Sequence, residues 1–241
     1  MSEPERIRIN KFLSEKGSYS RRGIDKLIRD NRITVNGKKV KLGTKITIND
    51  EIKIDGELVF KSKKRKKSIY LLFNKPIGIE CTTNQKVNNN IIDFIGYPKR
   101  IFPVGRLDKD SQGLIFLTND GSIVNKILRS ENNNEKEYLV TVNKKLNSNF
   151  LTKLSKGVKL KNKTTKPCTV KKLNNYSFKI ILTQGINRQI RRMCALFDYK
   201  VKQLVRTKII NIELGNLKPG KFRKFSMSEL EILNKHIENS N

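Results

Sequence analysis

The chain has 241 residues, 52 Lys plus Arg and 22 Asp plus Glu, for a formal net charge of +30. That length allows one large domain or two small ones, and such a surplus asks for a polyanion, nucleic acid before an anionic membrane. No apolar run reaches spanning length and the charged N-terminal stretch lacks a signal peptide's apolar segment, so a soluble cytoplasmic protein is expected.

Two scarcities narrow the chemistry. The single histidine, His236, and the scattered Cys81, Cys168 and Cys194 argue against Ser-His-Asp triads, metal sites and a disulfide framework. The cysteines read as buried free thiols. An enzyme of this composition works with carboxylates and arginines.

In chain order, Ile9, Phe12 and Leu13 fall at i, i+3, i+4 and predict a short amphipathic helix, closed by Gly17. Ser20 is the expected N-cap of a second helix with Ile24, Leu27 and Ile28 on its apolar face. Arg22, Lys26 and Arg29 recur at i, i+4, i+7 on another face. Ile33 to Val40, with Asn36-Gly37 at its centre, predicts a hairpin. The alternating runs Ile46–Ile48 and Ile52–Ile54 add strands. A basic helix pair followed by a small sheet suits contact with the backbone of folded RNA. Arg8-Ile9-Asn10-Lys11-Phe12-Leu13, Ser20-Arg21-Arg22 and Ile33-Thr34-Val35-Asn36-Gly37 resemble the S4 RNA-binding domain. That resemblance implies RNA contacts at Arg8, Lys11, Arg21, Arg22, Lys26 and Arg29.

Lys61 to Lys67 holds six basic residues in seven and no apolar one, which reads as a solvated linker. Expected boundaries are 6–60 for the first module, 61–68 for the linker and 69–235 for the second module. The second module reads as strands broken by irregular loops, with two or three helices. Tyr70–Phe73 is a strand entering the turn Asn74-Lys75-Pro76-Ile77-Gly78. Phe102–Gly105 leads into a polar loop, Arg106 to Gly113, and Leu114–Thr118 is a buried strand. Asp120 is the expected cap of a helix through Ile123, Val124, Ile127 and Leu128. Glycine-bracketed loops between core strands commonly carry catalytic groups. Asp108 and Asp110 lie there beside Arg106, Lys109 and Ser111, and nearby cations favour the ionised form that serves as nucleophile or base. Spacing alone does not choose between them.

Farther on, Tyr138, Val140 and Val142 share one face of a strand, and the tyrosine could stack on a base or cap the core. Asn187 is the expected N-cap of a helix that buries Ile190, Cys194 and Phe197. Arg188 and Arg191 lie near its start, where the helix dipole calls for an acidic partner, a phosphate or a buried Asp; Arg188 and Arg192 are expected RNA contacts.

Asn74-Lys75-Pro76 with Gly78, Gly105-Arg106-Leu107-Asp108, Lys136-Glu137-Tyr138 and Asn187-Arg188-Gln189-Ile190-Arg191-Arg192-Met193 together resemble the RsuA-type pseudouridine synthases. The strings Phe102–Asn119 and Glu135–Val142 look nearest to the RluF branch, which acts on 23S ribosomal RNA. The resemblance implies an α+β chain: an S4 domain, a helix pair plus small sheet, followed by a synthase domain on a mixed, largely antiparallel sheet. It implies Asp108 as catalytic carboxylate, Tyr138 stacked on the target uracil and Arg191 paired with Asp108. Leu204 would pack in the pocket, and Arg106 would fill the gap left by an extruded nucleotide. The partner implied is 23S rRNA, and the sequence leaves open whether tRNA is a second substrate. The reaction is redox-neutral and needs no external nucleophile, so no cofactor or metal is expected; nor is a membrane partner, and the expected state is a monomer.

Overall fold

The computed structural model describes residues 6–16, 19–59, 68–161 and 163–238. Gly17 and the basic run Lys61–Lys67 lie outside them. The chain divides into two compact units, Met1–Ser68 and Ile69–Asn241.

The first unit runs β1 (Ile7–Arg8), α1 (Ile9–Lys16), α2 (Arg21–Arg29), β2 (Ile33–Val35), β3 (Lys38–Lys39), β4 (Lys45–Ile46), β5 (Ile52–Ile54) and β6 (Glu57–Leu58). Ser20 caps α2 as expected, its Oγ accepting from the Gly23 amide at 3.0 Å. Ile9, Phe12 and Leu13 of α1 meet Ile24, Leu27 and Ile28 of α2 over Ile33, Ile52 and Ile54. Each such burial is worth about 1.5–3 kcal/mol, and it leaves the basic face of α2 in solvent. The β2–β3 turn has φ of 49° at Asn36 and 76° at Gly37, the left-handed pair that a type I′ hairpin requires. The small sheet is ordered β3-β2-β5-β6. The run Ile46–Ile48 is not one strand. β4 stops at Ile46 and pairs with β1, because the Asp50 carboxylate accepts from the Thr47 amide and hydroxyl and turns the chain. Ile48 is left 69% exposed.

The second unit contains β7 (Tyr70–Lys75), α3 (Ile91–Ile95), β8 (Phe102–Val104), β9 (Gln112–Thr118), α4 (Ser122–Leu128), β10 (Lys136–Val142), α5 (Ser148–Ser155), β11 (Lys159–Leu160) and β12 (Lys163–Thr164). It continues through β13 (Thr169–Lys172), β14 (Ser177–Leu182), α6 (Gln189–Ala195), β15 (Val201–Ile209), β16 (Ile212–Glu213), β17 (Phe222–Lys224) and α7 (Met227–Glu238). Nine strands form one sheet ordered β13-β14-β10-β15-β9-β7-β17, with β16 on β15 and β8 on β9. Every pairing is antiparallel except β9 with β15, so the sheet is mixed and largely antiparallel.

β7 and β9 are buried on both faces. Leu72, Leu114 and Phe116 enter a core closed by α4 and α7, while Leu71, Phe73, Ile115 and Leu117 enter another closed by α3. Continuous apolar runs are what a doubly covered strand needs. A third core surrounds β10, β14, α5 and α6.

Four expectations shift. Five α-helices stand among the described residues of the second unit where two or three were expected. Gly113 lies inside β9 instead of closing the loop. Asp120 sits one residue ahead of the N-cap, Gly121, with its Oδ1 accepting from the Ser122 amide and hydroxyl. The N-cap of α6 is Arg188 (φ 49°), not Asn187; Gln189 Oε1 closes the turn by accepting from the Ile186 amide at 3.1 Å.

Candidate active site

The loop from Gly105 to Ser111 is tied down on both sides. Toward β7, the Gly78 amide donates to the Lys109 carbonyl at 2.8 Å. The ammonium of the fully buried Lys75 donates to the carbonyls of Pro76 and Ile79, both at 2.8 Å, and of Lys109 at 3.4 Å. Burial lowers the Lys75 pKa below its usual value, and three carbonyls compensate the desolvated charge. The Leu107 amide donates to Cys81 Sγ at 3.3 Å, and burial pushes that thiol up, keeping it protonated.

Toward α6, Arg188 grips Asp110 with two bonds of 3.0 Å. This pairing holds the Asp110 carboxyl below the usual carboxylate range. Arg191 donates to the Asp110 carbonyl at 2.8 Å, to Ser111 Oγ at 3.2 Å and to the Val201 carbonyl at 3.2 Å. Its Nε lies 3.3 Å from Asp110 Oδ2. The expected Arg191–Asp108 pair is therefore not the one present: Arg191 is committed to the loop backbone and to Asp110. Asp108 has Arg188 as its nearest cation, at 3.8 Å. Its backbone carbonyl accepts from the Ser111 amide at 3.0 Å, which fixes the turn. Of the two carboxylates Asp110 is occupied, and Asp108 is half-buried with lone pairs to spare.

Sheet register brings the other candidates toward this loop. Lys75, Gly113, Arg206 and Tyr138 are successive register partners across β7, β9, β15 and β10. At about 4.8 Å per strand, Tyr138 stands on the order of 10 Å from Gly113, where the loop enters β9. Leu204 lies opposite Val140 and is buried in the core against which Tyr138 packs. Arg106 is exposed at the loop's start. Arg206 is buried, its Nε donating to the Leu114 carbonyl at 2.7 Å while Nη2 has no partner. Among the described residues no group of three or more His, Cys, Asp or Glu could hold a metal ion. His236 lies on α7, its Nε2 2.7 Å from Asn134 Oδ1.

Residues 69–196 match the RNA pseudouridylate synthase family model and residues 7–52 match the S4 domain. Over 234 residues the chain is 47% identical to the dual-specificity RNA pseudouridine synthase RluF of Escherichia coli K12, covering 97% of this chain and 80% of that one. The chain belongs to the RsuA-type RNA pseudouridine synthases. The ribosomal large subunit pseudouridine synthase B of Bacillus subtilis is 33% identical over 235 residues, covering 94% of this chain and 95% of that one. A crystal structure of a pseudouridylate synthase superposes with TM-score 0.69 at 32% identity, over 94% of this chain and 99% of that one.

In this synthase, Lys75 stands in sequence within a turn and within a segment that carries the family resemblance, with no role of its own assigned. A lysine closing an apolar strand was the available signal, since such a side chain must find buried acceptors. Cys81 and Arg206 carried no signal, because their partners are backbone groups 26 and 92 residues away. In the S4 unit, Arg8, Lys11, Arg21, Arg22, Lys26 and Arg29 are all exposed. Arg192 is half-buried on α6.

Proposed function

We propose that the synthase isomerises a uridine in 23S rRNA, with tRNA as a second substrate, using Asp108 as the catalytic carboxylate. The observation that carries the assignment is the division of labour in the loop: Asp110 is consumed by Arg188 and Arg191, whereas Asp108 is half-buried and holds only a 3.8 Å contact to Arg188. The relative from Bacillus subtilis, named for the large ribosomal subunit, and the dual specificity in the name of the one from Escherichia coli support the substrate reading.

The reaction breaks the N1–C1′ bond, rotates the uracil and joins C5 to C1′; C5 loses its proton and N1 gains one. Asp108 serves either by attacking C1′ or by taking the C2′ proton, and both routes place its carboxylate at the sugar. The uridine must leave its stack, which costs a few kcal/mol. Tyr138 stacked on the uracil would return about 1–3 kcal/mol, with Leu204 beside it and Arg106 in the vacated gap. Arg191 holds the turn that presents Asp108. The S4 cations Arg8, Lys11, Arg21, Arg22, Lys26 and Arg29, with Arg188 and Arg192, take phosphates and supply affinity through counterion release.

Tritium release from 23S rRNA labelled at uracil C5 tests the assignment. Asp108→Asn should lower turnover by roughly 10²–10⁴-fold or more with rRNA affinity within about twofold of wild type, because the isosteric amide leaves phosphate contacts intact. Asp110→Asn loosens Arg188 and Arg191 and retains measurable turnover. Activity surviving in Asp108→Asn but lost in Asp110→Asn would transfer the role to Asp110.

A further inference from the structure

From Tyr138 to Phe197, sixty consecutive residues carry eleven lysines and three arginines and no aspartate or glutamate; all 22 acidic residues lie elsewhere. A compositional drift toward lysine adds lysines everywhere but does not clear acids from one window. The window folds as a piece: β10, β14, α5 and α6 close around Val140, Phe150, Phe178 and Met193. Ten of its eleven lysines are exposed. Lys179, Arg188 and Arg191 have carboxylate partners from other segments and Asp198 follows the window, but the remaining exposed lysines repel one another unless a polyanion lies on them.

Within this surface, the ends of α5 and α6 border a shallow, open depression of about 410 Å³. Its floor is apolar: Val158, Phe197 and Leu196, the last 53% exposed. Phe197 packs edge-on against Phe150 at 5.6 Å, and Phe150 stacks on Tyr199 at 4.1 Å, so the floor is braced from behind. The rim is Lys153, Lys156 and Lys159, all exposed. None of the candidate active-site residues lines it. An apolar platform ringed by cations is how proteins hold unpaired nucleic acid, bases on the platform and phosphates on the rim.

We propose that this pocket is a second RNA site on the synthase unit. It takes one unstacked nucleobase of the substrate RNA on Leu196 and Phe197, with the flanking phosphates on Lys153, Lys156 and Lys159. The proposal rests on 23S rRNA as substrate and concerns affinity, not the isomerisation itself.

The test uses the full chain and in vitro transcribed 23S rRNA labelled at uracil C5, with binding and tritium release measured across roughly 50–200 mM salt. The triple variant Lys153→Gln, Lys156→Gln, Lys159→Gln should raise Kd and KM by about tenfold or more and lower the log–log salt slope by about 2, with kcat within about twofold. Leu196→Ser should weaken binding several-fold at unchanged slope, because it removes a base contact and no charge. Replacing the same three lysines by arginine should restore affinity. Wild-type Kd and slope in the glutamine variant, or failure of the arginine variant to recover, would overturn the site while wild-type tritium release leaves the substrate reading standing. If the wild type releases no tritium from this RNA, the substrate reading fails, and the binding arms still decide the pocket.

Discussion

Asp108 and Asp110 are two residues apart in a loop with cations on both sides, and nothing in their spacing ranks them. What separates them is Arg188, 78 residues beyond Asp110 in the chain. Its left-handed backbone (φ 49°) places it ahead of α6, where its fork meets Asp110 at two bonds. A β-branched residue would be strained there, and only a guanidinium grips a carboxylate in this way. The expected pairing of Arg191 with Asp108 rests on family resemblance, whereas its partners in the fold are the Asp110 and Val201 carbonyls, Ser111 Oγ and the Asp110 carboxylate. Gly113 is a second residue whose meaning appears only in three dimensions. Read in sequence it closes a loop; in the fold it has φ 118° and lies where β9 approaches β15. A Cβ at this position would overlap the carbonyl oxygen and amide nitrogen of Arg206, neither of which can swing aside. Gly113→Ala should therefore destabilise the synthase by about 3 kcal/mol or more, the combined cost of backbone strain and a backbone clash. Urea unfolding checks this: the midpoint should fall with the slope m unchanged, and a midpoint equal to wild type would remove the close approach.

At the scale of elements, signals with two independent supports held. β9 showed an unbroken apolar run of strand length, and α2 showed a cap together with an apolar stripe. The signals that failed relied on one. Alternation at Ile46–Ile48 was overridden by the Asp50 turn, and Asn187 lost the N-cap position to a residue with no capping side chain. β10 carries an element whose cost no pattern reveals. Lys136, at its start, is buried among apolar neighbours with Arg206 near it, and its pKa is pulled down to about 8. Its ammonium retains one bond, to the Asn134 carbonyl at 2.8 Å. A lysine depressed on folding binds its proton less tightly in the native state than in the unfolded one. Stability accordingly rises as pH climbs from about 8 toward the unfolded value of about 10.4, and the penalty is fully present below 8. Lys136→Met removes this titration. Between about pH 7 and pH 10, wild type should gain roughly 2–3 kcal/mol relative to the methionine variant, measured by urea unfolding at both pH values. A difference that stays flat would place the ammonium in a better-solvated setting.

The whole molecule divides its charge between two compact units that meet different physical demands. Residues 1–68 carry 20 basic and 9 acidic side chains and residues 69–241 carry 32 and 13, so neither unit is neutral and both suit a polyanion. In the first unit the basic side chains of α2 stand on the face its apolar stripe leaves free: Arg21, Arg22, Lys26 and Arg29 are exposed, while Ile24, Leu27 and Ile28 are buried. Their separation from the core allows a clean test of the S4 unit's role. Replacing all four by glutamine leaves the Ser20 cap and the apolar contacts in place, so the far-ultraviolet dichroism and the unfolding midpoint should stay near wild type. If each side chain neutralises one phosphate of 23S rRNA, the log–log dependence of Kd on salt should flatten by about 3, at roughly 0.7–0.9 per contact. The loss of affinity should be greatest at low salt and shrink as salt rises, since counterion release is the term being removed. Turnover at saturating RNA should hold, because Asp108 and its supporting loop lie wholly within the second unit. A slope equal to wild type in a folded variant would mean that α2 does not touch the RNA, and the affinity would then have to come from the lysine-rich half of the synthase unit.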